Sequence, residues 1–373
     1  CGGCRFQDFD YDQQMKFKVK IVAYALRRLA GLEGGVEIKS LPAPEPWHYR
    51  NRAVFSVAGH GNNLKLGFLR RGTHDVVDSN QCGILVNPIN EVKEWIRTLL
   101  VRHAISVYDR LSRTEFLNGL FIHRAETTGQ TLVGFFTKEG KFPVEFIRDV
   151  SDPAKLQRFG ITGIVQSVNP RKGKKFGQEK NRVLWGDSFL TEQLNDLRFR
   201  MSMGTFFQVN AKQTVKLYDL VSGWIPGETD GRVLDVYCGN GGISLWLARR
   251  GLKVLGIEES SQAIDDARES ARMNGIDHCR FLAGPAEDHL ARLTKEGPFN
   301  AVVLDPPRKG CSSKVIEAIE TLEPERIIYV SCNPATLARD LAKLTSYRIG
   351  AIHVVDMFPQ TQHVETAVHL TRV

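Results

Sequence analysis

No apolar run in this chain approaches the roughly 20 residues that a bilayer-spanning helix needs, so a helical membrane protein is excluded. No signal-peptide pattern opens it. Cysteine is sparse and unpaired in its logic: seven residues, an odd number, at irregular spacings. That excludes the disulfide framework of a small secreted domain. A reducing cytoplasmic setting is expected instead, with thiols used for metal or catalysis. The chain has no internal repeat and no low-complexity tract. It also lacks G-x-G-x-x-G, the fingerprint of dinucleotide binding. It starts without methionine, on Cys1-Gly2-Gly3-Cys4, and upstream sequence is expected.

What is present is long enough for two or three domains, at 373 residues. The net charge of +8 suits a polyanionic partner such as nucleic acid. Residues 11–31 read as a basic amphipathic helix with apolar positions Met15, Phe17, Val19, Ile21, Val22, Leu26 and Leu29. From Arg52 to Val168 short strand-like runs dominate, with a helix over 87–103, giving an α+β first half. Near residue 200 the pattern changes. Strands over 232–236, 253–258, 280–283, 301–305 and 326–330 alternate with helices, the spacing of a parallel, doubly wound sheet. Segments 350–356 and 365–371 read as a terminal strand pair. The expected domains are therefore 1–200 and 201–373, the second Rossmann-like.

Asp235-Val236-Tyr237-Cys238-Gly239-Asn240-Gly241-Gly242 follows a strand and opens a helix. Glycines there let the backbone turn tightly and approach a ligand. Glu258 ends the next strand, where a carboxylate can accept both hydroxyls of a ribose. The stretch suits S-adenosylmethionine, which brings no pyrophosphate; a nicotinamide fold or a plain tight turn remain alternatives. Asp305-Pro306-Pro307-Arg308 closes the fourth strand as a rigid platform, since proline fixes the backbone and donates no hydrogen bond. Ser331-Cys332-Asn333-Pro334 closes the fifth and places a thiol on a strand-to-helix turn, where open α/β sheets keep their chemistry. A buried core cysteine is the plainer reading of that residue alone.

Taken in order, Phe206-Phe207-Gln208-Val209-Asn210, Asp305-Pro306-Pro307-Arg308, Ser331-Cys332-Asn333-Pro334 and His363-Val364-Glu365-Thr366 make the chain resemble the RNA 5-methyluridine methyltransferases. The resemblance covers nearly all of it. Within the family it looks most like the bacterial iron–sulfur enzymes that methylate 23S ribosomal RNA. The resemblance implies a class I S-adenosylmethionine-dependent methyltransferase domain over 201–373 and an RNA-binding α+β domain before it. It makes Cys332 the nucleophile toward uracil carbon 6 and Glu365 the base that removes the carbon-5 proton. Gln208, Tyr237, Gly239, Glu258 and Asp305 fall on cofactor-contact positions, and Asp305 could also touch the uracil edge. Phe206 or Phe207 would stack on the extruded base. Gly242 departs from relatives that carry asparagine there.

Cys1-x-x-Cys4 alone fits zinc, redox chemistry or half a cluster site. The resemblance implies a [4Fe–4S] cluster on Cys1, Cys4 and Cys82, with a fourth ligand upstream. Cys238, Cys279 and Cys311 are expected to be structural. Arg70-Arg71 and Arg171-Lys172-Gly173-Lys174-Lys175 would neutralise RNA phosphates. The expected protein is a cytoplasmic monomer acting on 23S ribosomal RNA and no membrane. Transfer RNA, cytosine methylation and a non-catalytic ribosome-assembly role are the competing readings.

Overall fold

The structure, a computed structural model, describes residues 1–32, 36–107, 116–168, 180–227, 231–295 and 298–373. In chain order it forms α1 (Tyr11–Ala30), β1 (Ile38–Leu41), β2 (Arg52–Ala58), β3 (Lys65–Leu69), β4 (Val76–Asp78) and α2 (Ile89–Arg102). Then come β5 (Leu117–Arg124), β6 (Thr131–Thr137), α3 (Val144–Val150), α4 (Pro153–Phe159), β7 (Ile161–Val168) and β8 (Lys180–Gly186). β9 (Phe189–Leu194), β10 (Leu197–Ser202), α5 (Ala211–Gly223), β11 (Arg232–Val236), α6 (Gly242–Ala248), β12 (Lys253–Glu258) and α7 (Ser261–Met273) follow. The chain closes with β13 (Cys279–Ala283), α8 (Ala286–Leu293), β14 (Ala301–Leu304), α9 (Ser313–Leu322), β15 (Arg326–Ser331), α10 (Pro334–Leu341), β16 (Tyr347–Val355) and β17 (Glu365–Arg372).

Two compact units result. The first holds residues 1–4, 47–193 and 200–205; the second holds 5–46, 194–199 and 206–373. Residues 5–46, including α1, thus belong to the second unit.

The first unit is built on a seven-stranded sheet, β4-β3-β2-β5-β6-β7-β8. Its pairs are antiparallel except β6 and β7, which run parallel. A parallel pair needs a crossover, and α3 and α4 supply it. Leu120, Ile122, Val133, Phe135 and Ile164 point from the strands into a core shared with Ile96 of α2 and Phe146 of α3. Gly67 and Gly163 sit where a side chain would collide with a neighbouring carbonyl, so these crowded strand positions require glycine. Arg70 and Arg71 lie exposed between β3 and β4; the run 171–175 falls outside the described residues.

The second unit carries an eight-stranded sheet ordered β1-β16-β17-β15-β14-β11-β12-β13. β11 to β15 are parallel, as their continuous apolar runs foretell. β17 is antiparallel to both β15 and β16. Strand order runs outward from β11 through β12 to β13, then resumes on the other side with β14. Such a reversal opens a crevice at the strands' carboxyl ends.

α1 buries Gln14, Met15, Lys18, Val22, Ala25 and Leu26, one stripe at helical spacing. Phe17, Ile21 and Leu29, apolar positions in the sequence pattern, face solvent instead. They lie outside the stripe by the helix's own geometry, which the residue types do not reveal. Within the buried stripe Lys18 Nζ meets Asp356 Oδ1 at 2.5 Å, both side chains wholly buried, and also donates to the Phe358 carbonyl at 2.9 Å. Removing one partner of such a pair strands a charge. Lys18→Ala is expected to lower stability by about 3–5 kcal/mol in urea unfolding. Lys18→Met with Asp356→Leu should cost less than Lys18→Ala alone. A double variant at least as unstable as the single one would show that the charge pair is not the source.

Candidate active site

The crevice of the second unit is lined by strand ends. β11 delivers Asp235, and the chain then turns through Tyr237 at φ 68°, Gly239 at 55° and Gly241 at 82° before α6. Tyr237 adopts a left-handed backbone with a side chain attached, a conformation that costs roughly 1–3 kcal/mol and clusters at functional sites. Its N–H and that of Cys238 both donate to the Ile257 carbonyl, at 2.8 and 3.0 Å. A side chain at Gly241 would press on Phe281 and Ala267, whereas one at Gly239 would meet open space. Gly239 therefore presents bare backbone to the crevice. At Gly242 a side chain would collide with the Tyr218 hydroxyl, so Tyr218 occupies the space of the missing one.

Glu258 closes β12 and reaches back to this turn. Its Oε2 accepts from the Gly239 N–H at 3.3 Å and its Oε1 from the Ser260 N–H at 2.8 Å. Asp235 is buried and accepts from the Ser244 hydroxyl through Oδ2 at 2.5 Å; its Oδ1 has no hydrogen-bond partner among the described residues. Burial pushes its carboxyl up to about 6, the Glu258 charge adding to the effect. Asp305, at the end of β14, is pushed up to about 7 by burial and by Asp235. Gln208 is buried, two residues before Asn210, whose side chain caps α5 through the Gln213 N–H. Phe206 is 59% exposed while Phe207 is 1% exposed and packs on Phe199.

The thiol sits beyond β15. Ser331 pairs with Thr366 across the antiparallel β15–β17 register, so the next step faces Cys332 toward Glu365. Asn333 caps α10 by accepting from the Ala335 N–H, and Pro334 takes the first helical turn, where its missing N–H is harmless. The Asp305-Pro306-Pro307 loop is held to the same helix. Asn333 and Thr336 donate to the Arg308 carbonyl at 2.9 and 3.3 Å, and Arg339 donates to the Lys309 carbonyl at 3.0 Å. Gly310, at φ 73°, lets the loop pass against Asp340 where a side chain would clash.

These groups interact. Glu365 is fully buried and held well above the usual carboxylate range by burial and then by Asp305, with the Arg308 cation opposing. Burial, Glu365 and Asp305 together push the half-buried Cys332 thiol up to about 11, again against Arg308. Arg308 also contacts His363 at 3.3 Å, two residues before Glu365. The sequence motifs contain Asp235 and Arg308, but sequence reasoning assigned neither a role. The signals were a carboxylate at a strand end beside glycines and a cation in a strand-end loop.

Tyr237 is half-buried at this turn. Its hydroxyl bonds the Cys311 thiol, and its ring packs on the core of this unit. Cys238, Cys279 and Cys311 are buried, as expected of structural thiols. In the first unit, burial and the neighbouring Cys82 raise the Cys4 thiol, while Cys1 is exposed. Among the described residues no group of three or more His, Cys, Asp or Glu side chains is arranged to hold a metal ion. Cys4 lies near Cys82, and no third side chain of these kinds is arranged with the pair among the described residues. No described helix is long and apolar enough to cross a membrane.

A doubly wound sheet with a glycine turn after its first parallel strand, and acidic residues ending the neighbouring strands, has the architecture of a class I methyltransferase. The family model described as tRNA (Uracil-5-)-methyltransferase matches residues 10–373. An uncharacterized RNA methyltransferase of Bacillus cereus is 34% identical over 376 residues, covering 100% of this chain and 81% of that one. A similar protein of Oceanobacillus iheyensis is 36% identical over 377 residues, with the same coverage. The solved Pyrococcus abyssi tRNA (uracil-54, C5)-methyltransferase, in complex with S-adenosyl-L-homocysteine, superposes with a TM-score of 0.81 at 31% identity. It covers 99% of this chain and 85% of that one. The chain belongs to the tRNA (uracil-5-)-methyltransferase family.

With its thiol raised, Cys332 rests protonated at neutral pH. Its alkylation by iodoacetamide, followed by mass spectrometry of the peptide, should accelerate about tenfold per pH unit towards pH 11. A rate that levels off near pH 7 would contradict the carboxylate surroundings described.

Proposed function

We propose that this protein transfers a methyl group from S-adenosylmethionine to carbon 5 of a uridine in 23S ribosomal RNA. The observation that carries the reading is the placement of Cys332 and Glu365 on adjoining strand ends, with Asp305 in the same electrostatic group.

The crevice fits the donor on its own evidence. Gly239 leaves open space, Asp235 keeps a buried oxygen without a partner, and Asp235 and Asp305 repel each other. A ligand carrying sulfonium and ammonium charges relieves that repulsion, whereas an anionic pyrophosphate would add to it. Glu258 would take the ribose hydroxyls, the Gly239 backbone would line the pocket, and Gln208 and Tyr237 would shape its wall. Bound there, S-adenosylmethionine supplies the methyl group.

Carbon 5 of uracil is a poor nucleophile. Once its thiol proton has passed to solvent, Cys332 adds as the thiolate to carbon 6 and makes an enolate, whose carbon 5 would take the methyl group as S-adenosylhomocysteine leaves. Glu365 then takes the carbon-5 proton, the 5,6 double bond re-forms as the carbon–sulfur bond breaks, and Cys332 leaves as the thiolate, to be reprotonated from solvent. Burial raises the Glu365 carboxyl, which makes its ionised form a stronger proton acceptor for this step. Arg308 opposes the upward shift of both groups and would keep them usable. The exposed Phe206 would stack on the extruded base.

A second reading has a specific observation behind it: the Pyrococcus abyssi enzyme acts on tRNA, and the family model carries the same substrate in its name. Methylating 23S ribosomal RNA and transfer RNA transcripts side by side, with mass-spectrometric mapping, separates the two. An RNA carrying 5-fluorouridine should trap wild-type protein as a complex stable on a denaturing gel, because fluorine cannot leave as a proton. Cys332→Ala should form none. Glu365→Gln should accumulate a covalent complex with ordinary uridine and lose about 10²–10⁴-fold in turnover. An adduct that survives Cys332→Ala would overturn the mechanism.

An iron–sulfur cluster using Cys1, Cys4 and Cys82 is the remaining part of the proposal, supported by the closeness of Cys4 and Cys82. Protein purified without oxygen should carry iron and sulfide. Stoichiometric zinc without iron would remove this part and leave the rest standing.

A further inference from the structure

The exposed side of α1 plays no part in the chemistry above. From Lys16 onward its solvent-facing charges are all positive: Lys16, Lys20, Arg27 and Arg28. The acidic residues Asp8, Asp10 and Asp12 stop before that point. Beside the cations, Phe17, Ile21 and Tyr24 are exposed, Tyr24 by 57%, while Phe17 also packs against Phe9 and Phe6 at ring-centroid distances of 5.2 and 6.1 Å. Lys20 lies 5.9 Å from the Phe17 ring and Arg28 5.9 Å from the Tyr24 ring. Spacings of three and four residues lay these out as two adjacent stripes, one cationic and one largely aromatic.

Next to the stripes runs a groove of about 550 Å³ between the helix and the β1 and β16 strands. Leu26, Leu32 and Ile352 give it an apolar floor, and Lys20, Tyr24 and Arg27 stand at its rim. That volume lies in the range of small-molecule sites.

The helix is also aimed. Its first half is bound to the segment that leads into Glu365: Tyr11 to Asp356 at 2.8 Å, Gln14 to Gln360 at 2.9 and 3.0 Å, and Lys18 to Asp356. Beyond Lys18, its last anchor, α1 continues to Ala30 for about 18 Å, at 1.5 Å per residue.

We propose that the exposed face of α1 is a track for single-stranded RNA leading off from the site, holding phosphates on Lys16, Lys20, Arg27 and Arg28 and bases on Phe17, Tyr24 and the adjoining groove. The pairing of cations with flat rings is the recognition chemistry of unstructured nucleic acid. It would hold sequence flanking the target uridine and add affinity without reading bases. The inference rests on RNA being the substrate. A basic amphipathic helix could also lie on an anionic lipid surface. The RNA reading is favoured because α1 is anchored to the segment leading into Glu365 and its exposed rings lie beside cations.

The test uses the whole chain and fluorescein-labelled (U)20, with anisotropy followed across a KCl series. Lys16→Ala/Lys20→Ala/Arg27→Ala should bind at least tenfold more weakly at 0.15 M KCl. Its salt slope should fall by roughly 2, at about 0.7 per phosphate contact on single strands. Phe17→Ala/Tyr24→Ala should lose about tenfold with the slope unchanged. All these side chains face solvent, and thermal unfolding checks the fold of each variant. Wild-type affinity and slope in both variants would overturn the proposal. So would binding to phosphatidylglycerol vesicles that these changes abolish while (U)20 binding survives. Methylation is scored separately on the same proteins. Normal methylation with unaltered RNA binding removes the track alone. Loss of (U)20 binding in variants of a protein that methylates no RNA removes the methyl-transfer reading alone.

Discussion

Crowding of acidic groups in a dry crevice is the constraint on which the site depends. The reversal of strand order at β11 and β14 puts the ends of both strands beside one opening, and each end carries an aspartate. β15 and β17 then add Cys332 and Glu365. Water is scarce there, so each ionised group is costly and raises its neighbours. A cleft built this way resists being charged when empty. It gains most from a ligand that brings positive charge, and that gain is differential: it is absent until the ligand arrives.

Arg308 is the counterweight. Its guanidinium pulls both Cys332 and Glu365 towards ionisation, against burial and the carboxylates. It can do so only from a fixed position, and the fixing is done by backbone. The carbonyl of Arg308 accepts from two side chains of the α10 turn, Asn333 and Thr336. The same Asn333 caps the helix that follows the thiol. The loop of Asp305 and the turn of Cys332 are thereby tied together by hydrogen bonds, which hold the thiol and the carboxylate platform at their spacing.

How much of this the sequence discloses depends on where each element gets its stability. The central parallel strands β14 and β15 are legible because they are buried almost throughout and read as apolar runs that end at Asp305 and Ser331. Cys332 and Glu365 are legible as motif residues, yet their meeting depends on an antiparallel register of two strands more than 30 residues apart, which no local pattern encodes. β1, with the sequence Ile-Lys-Ser-Leu, has no strand signature of its own and forms because β16 offers an edge to pair with. The polar β8 likewise borrows its order from β7. Asp235 escapes a role on sequence grounds because its missing hydrogen-bond partner exists only in three dimensions.

α1 shows the same limit from the other side. Its apolar residues outnumber what one helical face can bury, and composition cannot say which of them meet the core. The fold decides by burying a lysine. Lys18 lies on the inner stripe and requires Asp356, so the rotation of the helix about its axis is set by a charge pair rather than by its largest hydrophobes. Once that pair is made, Phe17, Ile21 and Tyr24 must point outward. A helix oriented by hydrophobic burial alone would have turned some of those rings inward and hidden its cations' neighbours. Leaving them partly exposed forgoes apolar burial that folding could have used. On the reading proposed, that surface finds its explanation in the RNA it would hold, the polyanion whose uridine would have to reach Cys332.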